Sequence, residues 1–465
     1  MSDTLHNVFP ELIIDKEHIF TTNTKCPINE YTRTDFKQRY SVITSYEELQ
    51  QYLPENDQII HDTGRYILDY HKKGLYVSFK DGKLKYFLFL NKTDFSAPYQ
   101  NKIKINPHLN IAKDSKYRLT QCLLRIISEK TEKKNVDFYI MELLYFFKNL
   151  ASNRSVPDCN FYFNYKDQVL IHKIGSTYYT PFVEVFGKVP LEDDWQDSKL
   201  GRLFSFSSIK NYDDIPFVTP DDIVRVFQIF TSDPKSNDVS KCVNHYYHKK
   251  MDVKWEDKLE IAYFRGTSTG CGNDIYSNQR IKLAFLDKKW FQDSNSSTNT
   301  STSTRILDAK ITRWAFRLKK TEKDTMFNRI NIKKMKELGI ELAEKVPIEE
   351  LFKYKYILNV DGNVAAYRLG FLLSLNCVVL IVEGKYKLWF QDQLVENKHY
   401  VSVKSDLSNL KEKIYWCKNH DKECKEIAKN AIELHNKIFT KDNLYDYTIN
   451  IIENMNKKYY SPILK

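Results

Sequence analysis

The sequence contains no pair of cysteines at CxxC spacing, no run of five or more basic residues and no apolar stretch approaching the ~18 residues of a membrane span. Each absence excludes something. The eight cysteines (Cys26, Cys122, Cys159, Cys242, Cys271, Cys377, Cys417, Cys424) are widely spaced, which argues against a zinc site and for free thiols in a reducing compartment. The start, MSDTLHNVFPELIIDKEHIF, lacks a basic segment followed by an apolar one, and the end, SPILK, is no retention signal. The expectation is a cytoplasmic protein without a transmembrane segment. The net charge of +11 raises nucleic-acid binding as a reading, but its 71 basic and 60 acidic residues are interspersed along the chain, so a nucleic-acid partner is not expected.

What remains is a folded chain. Hydrophobic residues make up 42% and aromatics 14%, outside the disordered class, and 465 residues suffice for two domains with cores of their own. LYVSFKDGKLKYFLFL is two apolar runs around Asp81-Gly82, a hairpin signal. KYRLTQCLLRIISEK and NVDFYIMELLYFFKNL carry apolar residues at helical spacing, and NFYFNY, QVLIHKI and RLFSFSS read as short strands. TSDPKSNDVSK, followed by polar chain up to Trp255, marks an interdomain linker. The second half alternates: strand LEIAYF, helix SNQRIKLAFLDKKW, strand TRILDAKI, a long helical stretch through INIKKMKELGIELAEK, strand YKYILNV, helix VAAYRLGFLLSL, strand CVVLIVEG. That alternation predicts a parallel sheet of Rossmann type. The patch SNSSTNTSTST reads as a surface loop, and amphipathic helices follow residue 405.

Two strand–turn–helix junctions carry the chemistry. In YFRGTSTGCGNDIYSNQRIKL an apolar strand opens into Arg265, Gly266, Thr267 and further small residues before a helix bearing Arg280. In NVDGNVAAYRLGFLL, Gly362, Asn363, Val364, Ala365 and Ala366 precede Tyr367 and Arg368. Small residues let a phosphate approach backbone N–H groups, and an arginine fork matches its oxygens. A single such turn is usually only turn chemistry, and neither is a Walker loop or a GxGxxG turn. Two in one domain suit a diphosphate.

YFRGTSTG, LDAKIT, FKYKYILNVDGNVAAYRLGFLLSLNCVVL and HYVSVKSDLSN together resemble the corresponding blocks of glycosyltransferase family 90, densely from residue 263 to about 410. The resemblance implies an α/β fold of GT-B type, two Rossmann-like domains facing a cleft with C-terminal helices. It divides the chain into an acceptor-side domain with an N-terminal extension (1–235), a donor domain (236–440) and a helical tail packing back on the first domain (441–465). It implies an inverting, metal-independent transfer from a UDP-sugar, UDP-glucose or UDP-xylose, to a hydroxyl of a glycan, glycolipid or protein, with no cofactor. By resemblance donor-binding positions fall on Thr267, Arg280 and Asn363, Val364, Ala365, Ala366, Tyr367 and Arg368, which join Arg265 and Gly266 of the first junction; Ala366 stands where the family usually has serine. The catalytic aspartate falls on Asp167, in FYFNYKDQV, with FSFS and Asp214-Ile215-Pro216 downstream in register. Phe352 and Leu375 occupy positions where lumenal relatives carry paired cysteines. The rival readings are a nucleic-acid-binding protein and a catalytically idle glycan-binding member.

Overall fold

The computed structural model describes residues 42–71, 73–91, 138–165, 169–171, 178–179, 189–190, 198–210, 212–227, 253–297, 305–315 and 329–460. The expected helix at 116–130 and most of the expected linker lie outside them.

Among the described residues the chain forms two large sheets and two small two-stranded ones. The first has six strands: β1 (Val42–Ile43), β2 (Lys73–Lys80), β3 (Lys83–Asn91), β4 (Cys159–Asn164), β5 (Leu203–Ser205) and β7 (Ile215–Pro216), ordered β1-β3-β2-β4-β5-β7; β6 (Ser208–Ile209) stands apart from it. It is mixed: β2 runs antiparallel to β3 and β4, while the other pairs are parallel. The β2–β3 hairpin turns at Asp81 and Gly82, with φ of 52° and 72°, as the Asp-Gly pair predicts. Phe147, on the helix Phe138–Asn153, packs edge-on against Phe161 of β4, and Phe163 meets Phe217 at 5.0 Å between ring centroids. The described part of QVLIHKI, residues 169–171, is not strand.

The second sheet is wholly parallel: β8 (Leu259–Thr267), β9 (Leu307–Arg313), β10 (Tyr354–Asn359), β11 (Val378–Val382) and β13 (Val401–Val403), ordered β9-β8-β10-β11-β13. In chain order this is 2-1-3-4-5, a doubly wound sheet whose winding reverses between β8 and β10. Two expected helices are shorter than their patterns suggest. INIKKMKELG is helical only over Ile332–Glu337, because Gly339 takes φ 74° and Ile340 N–H bonds back to the Met335 carbonyl. VAAYRLGFLLSL is helical only over Leu369–Leu372, because Asp361 ties the preceding residues into a loop through the Ala366 N–H.

The two sheets share one continuous apolar core, from Leu75 and Phe163 through Leu369 and Phe371 to Ile452. β6 pairs antiparallel with β12 (Tyr386–Lys387), stitching one unit to the other. The C-terminal helix Lys441–Tyr460 lies against the first unit: Arg154 pairs with Asp442 and Asp446, and Tyr447 Oη donates to the Pro216 carbonyl at 2.6 Å. Where the family resemblance places a cysteine pair, Phe352 and Leu375 are buried. The Lys258 amine joins their two carbonyls at 2.6 and 3.1 Å.

Asp222, on the helix Pro220–Phe227, is buried between the units and accepts from Trp389 Nε1 (2.8 Å) and Thr219 Oγ1 (2.7 Å). Burial pushes its carboxyl up to about 7. Between the ordinary carboxyl range and that value the folded state holds this proton longer than the unfolded chain. Its contribution to stability is therefore present at low pH and lost as pH rises towards 7. Asp222→Asn removes that dependence. Its stability relative to wild type, from denaturant unfolding at pH 5 and pH 8, is expected to rise by on the order of 1 kcal/mol at the higher pH. A pH-independent difference between the two proteins would refute the assignment.

Candidate functional site

The two sequence junctions become neighbours because β8 and β10 are adjacent and both point their carboxyl ends the same way. This is the switch point of the sheet, where the connections diverge and leave a crevice.

At the first junction Arg265 turns towards β9. Its Nη2 pairs with Asp308 Oδ2 (2.8 Å), its Nη1 donates to the Asp308 carbonyl (3.0 Å), and its guanidinium lies 4.4 Å from the Tyr263 ring centroid. Its charge is thus compensated within the sheet. Gly266 lies against Phe264, where a Cβ would come within 2.9 Å of the ring, so a larger residue would displace the turn. The Thr267 carbonyl accepts from the Thr269 N–H (2.7 Å) and from Arg280 Nη1 (3.0 Å). The helix does not begin at these small residues. An eleven-residue loop (268–278) intervenes, with Gly270 and Gly272 at φ 102° and 76°. The helix Gln279–Ser297 starts only after Asn278, whose Oδ1 accepts from Ile281 N–H (3.0 Å) while its Nδ2 donates to the Thr269 carbonyl (3.2 Å).

The second junction is a compact loop. Asp361 Oδ1 accepts from the Ala366 N–H (3.2 Å), and the Gly362 N–H bonds to the Val364 carbonyl (2.9 Å). Asn363 Oδ1 reaches across to the Gly270 N–H (3.2 Å), and a Cβ on Gly270 would stand 3.2 Å from the Gly362 carbonyl oxygen. Val364, Ala365 and Ala366, within the loop, are buried. Tyr367 packs edge-on against Phe206, which directly follows β5, with 6.0 Å between ring centroids. The carboxyl edge of the first sheet thereby meets the loop of the second.

Arg280 and Arg368 occupy this crevice on the same ring, 5.7 and 5.3 Å from the Phe264 centroid. Arg280 binds both loops at once. Its Nε donates to the Asp361 carbonyl (2.9 Å), Nη2 to that of Val360 (2.7 Å), and Nη1 to the Thr267 carbonyl (3.0 Å) and Thr269 Oγ1 (2.7 Å). Arg368 donates one hydrogen bond among the described residues, from Nη1 to the Arg265 carbonyl (2.9 Å). Neither forms an ion pair among those residues. Desolvation, with repulsion from Arg368 and against the attraction of Asp361, lowers the Arg280 guanidinium to about 9; desolvation likewise lowers Arg368 to about 10, against the attraction of Asp221. Two clustered, desolvated cations without a paired carboxylate are costly as they stand, and an incoming anion would relieve that cost.

Asp167 lies outside the described residues, but the chain on both sides of it is held. Asn164 ends β4, and its Nδ2 donates to Ser205 Oγ (3.1 Å). Beyond Asp167, the Leu170 and Ile171 N–H groups donate to the buried Asp214 carboxylate (2.8 and 2.7 Å), which also accepts from Ser205 Oγ (2.6 Å). Burial pushes the Asp214 carboxyl up to about 7 despite these three bonds.

Of the donor positions expected from sequence, the structure places Gly266, Thr267, Arg280, Asn363, Val364, Ala365, Ala366, Tyr367 and Arg368 around the switch point and turns the Arg265 side chain away, while Asp167 lies outside the described residues. The residues missed were Asp361, Asn278 and Asp308. Asp361 stands inside the NVDGNVAAYR motif, and Asn278 sits where a helix cap is expected; Asp308 had no local signal, because its partner is on another strand.

A doubly wound α/β unit facing a second sheet, with two clustered arginines at its switch point, belongs to the class of two-sheet α/β folds in which ligands commonly bind at that point. The particular family follows from comparison: the profile of glycosyl transferase family 90 matches residues 120–462, and the chain belongs to that family. It is 29% identical over 456 residues to uncharacterized protein 179R of invertebrate iridescent virus 6, covering 84% of this chain and 36% of that protein. It is 33% identical over 199 residues to rat protein O-glucosyltransferase 3, covering 43% of this chain and 32% of that one. Human protein O-glucosyltransferase 1 is 23% identical over 360 residues, covering 76% and 73%. The chain thus spans about a third of the length of the first two relatives.

Proposed function

We propose that the chain transfers a sugar, glucose or xylose, from a UDP-sugar to a hydroxyl group of a glycan or protein, with inversion and without a metal ion. The observation that carries this reading is the pair of desolvated guanidiniums at the switch point. The crevice presents concentrated positive charge and backbone loops packed at glycines, which is what a diphosphate requires. Family membership and the O-glucosyltransferase relatives support sugar transfer as the reaction.

In this mechanism Asp167 is the general base. It takes the proton of the acceptor hydroxyl as that oxygen attacks the anomeric carbon, and the bond from that carbon to the UDP oxygen breaks on the opposite face. Arg368, with donors to spare, meets the charge growing on the departing diphosphate, while Arg280 holds the loops that surround it. The Phe206–Tyr367 contact joins the carboxyl edge of the first sheet to the loop of the second, which supports a base carried on that edge.

UDP is therefore expected to raise the melting temperature. At a hundred times its dissociation constant the ligand contributes about 2.7 kcal/mol. Unchanged melting at saturating UDP would remove the donor-site assignment. Release of UDP from a UDP-sugar is expected to persist in a chelator, since arginines hold the leaving group. Activity lost in chelator and restored by manganese would overturn metal independence while leaving the donor site standing.

A further inference from the structure

The chain on either side of Asp167 is tied to one buried carboxylate. Asp214, just before β7 and 4% exposed, accepts from the Leu170 N–H with Oδ1 (2.8 Å) and from the Ile171 N–H with Oδ2 (2.7 Å). Its Oδ1 also accepts from Ser205 Oγ (2.6 Å), and that hydroxyl accepts in turn from Asn164 Nδ2 (3.1 Å) at the end of β4. The carbonyls of the same short segment are held as well: that of Leu170 accepts from Tyr66 Oη (3.0 Å), and that of Ile171 from the Asp213 N–H (2.8 Å). Asn164, Ser205, Leu170 and Ile171 are all buried. The partners of Asp214 among the described residues are neutral, and a buried carboxylate with only neutral partners is costly. Stability alone is therefore a poor account of it. What the group supplies is direction, since two oxygens on one rigid plane fix two consecutive N–H groups.

We propose that Asp214 is the positioning residue of the base: through Leu170 and Ile171 on one side, and Ser205 and Asn164 on the other, it fixes both ends of the stretch that carries Asp167. The inference rests on the reading of Asp167 as general base. Only five residues separate Asn164 from Leu170, so a shift at either anchor is passed directly to that stretch. Proton abstraction is sensitive to such shifts, because a misplacement of about 1 Å can cost ~10²-fold in rate. Ser205 also ends β5, and Phe206 directly after it packs on Tyr367 of the donor loop. The anchor of the base and the contact to the donor loop are thus consecutive residues, and one strand end relates the group that takes the proton to the loop beside the leaving group. A merely structural Asp214 would act otherwise: its loss would weaken donor binding and turnover together, whether or not Asp167 were present.

The test is a double-mutant cycle on UDP release from saturating UDP-glucose or UDP-xylose, whichever wild type turns over, with UDP affinity measured alongside. Asp214→Asn leaves one acceptor oxygen and turns an amide N–H towards a backbone N–H. Its kcat is expected to fall by about 10–100-fold, with UDP affinity changed by less than about two-fold. In the Asp167→Asn background the same substitution is expected to cost less than about two-fold more, because no base is left to position. Ser205→Ala, which removes one bond to the carboxylate, carries the same cycle if Asp214→Asn does not fold. Its expected loss is about five-fold, the effect of one hydrogen bond, and it too vanishes beside Asp167→Asn. Losses that multiply in the double variant, an unchanged kcat in the single one, or an equal loss of UDP affinity would each overturn the inference and leave the proposed function standing. Near-normal turnover by Asp167→Asn would overturn it together with the assignment of the base. A wild type that releases UDP from neither sugar nucleotide would overturn it with the proposed function.

Discussion

Asp167→Asn is expected to lose sugar transfer by about 10²–10⁴-fold, or roughly 3–5 kcal/mol of barrier, and to bind UDP as well as wild type. Asparagine keeps the size and much of the hydrogen bonding of aspartate but cannot take a proton at neutral pH. The base touches the acceptor hydroxyl, not the nucleotide, so binding and chemistry separate. The chain on either side is anchored, Asn164 to Ser205 and Leu170–Ile171 to Asp214, and the variant is expected to melt with wild type. Transfer rates measured with saturating donor, alongside UDP titration, decide the matter. A variant that loses UDP binding and stability together would show Asp167 to be structural. Near-normal transfer would show that another group is the base.

The two crevice arginines are expected to fail differently, although the sequence presents them as a matched pair. Arg368→Ala removes a guanidinium that makes one hydrogen bond to the protein among the described residues. It is expected to weaken UDP by roughly 1.5–3 kcal/mol, the range for a hydrogen bond to a charged group, with little change in melting without ligand. Arg280→Ala removes four bonds that join Thr267 and Thr269 to Val360 and Asp361. It is expected to reduce UDP binding at least as much and to lower the melting temperature of the ligand-free protein, because both loops lose their common tie. Lysine at 280 restores charge but not the planar fork, so Arg280→Lys is expected to recover little. Unaltered ligand-free melting in Arg280→Ala would mean that the loops are held by Asn363 and Asn278 alone.

Much of this site is legible in consecutive residues. Arg-Gly-Thr after an apolar strand and Gly-Asn-Val-Ala-Ala before an arginine are local patterns, and their physical meaning, close backbone approach and a cation at the turn, is local too. The Asp81-Gly82 hairpin and the strands around residues 262, 309, 357 and 380 are equally local, since hydrophobic period and turn chemistry are written in neighbouring positions. Helix lengths were less legible. The apolar spacing of VAAYRLGFLLSL fits a helix, but the Asp361 carboxylate captures the Ala366 N–H and holds the first half as a loop.

The sequence by itself determined the alternating α/β character of the second half, the two small-residue turns and the arginines that follow them. Only the tertiary structure decided that β8 and β10 lie side by side, so that two turns separated by about ninety residues make one crevice. It also decided which arginine is spent. Arg265 is neutralised by Asp308 on β9, Arg280 is committed to backbone carbonyls from both loops, and Arg368 keeps most of its donors. The physical reason is that a charge's availability depends on the partners and solvent around it. Those are set by strand order and packing between distant segments, and neither is expressed in the spacing of neighbouring residues.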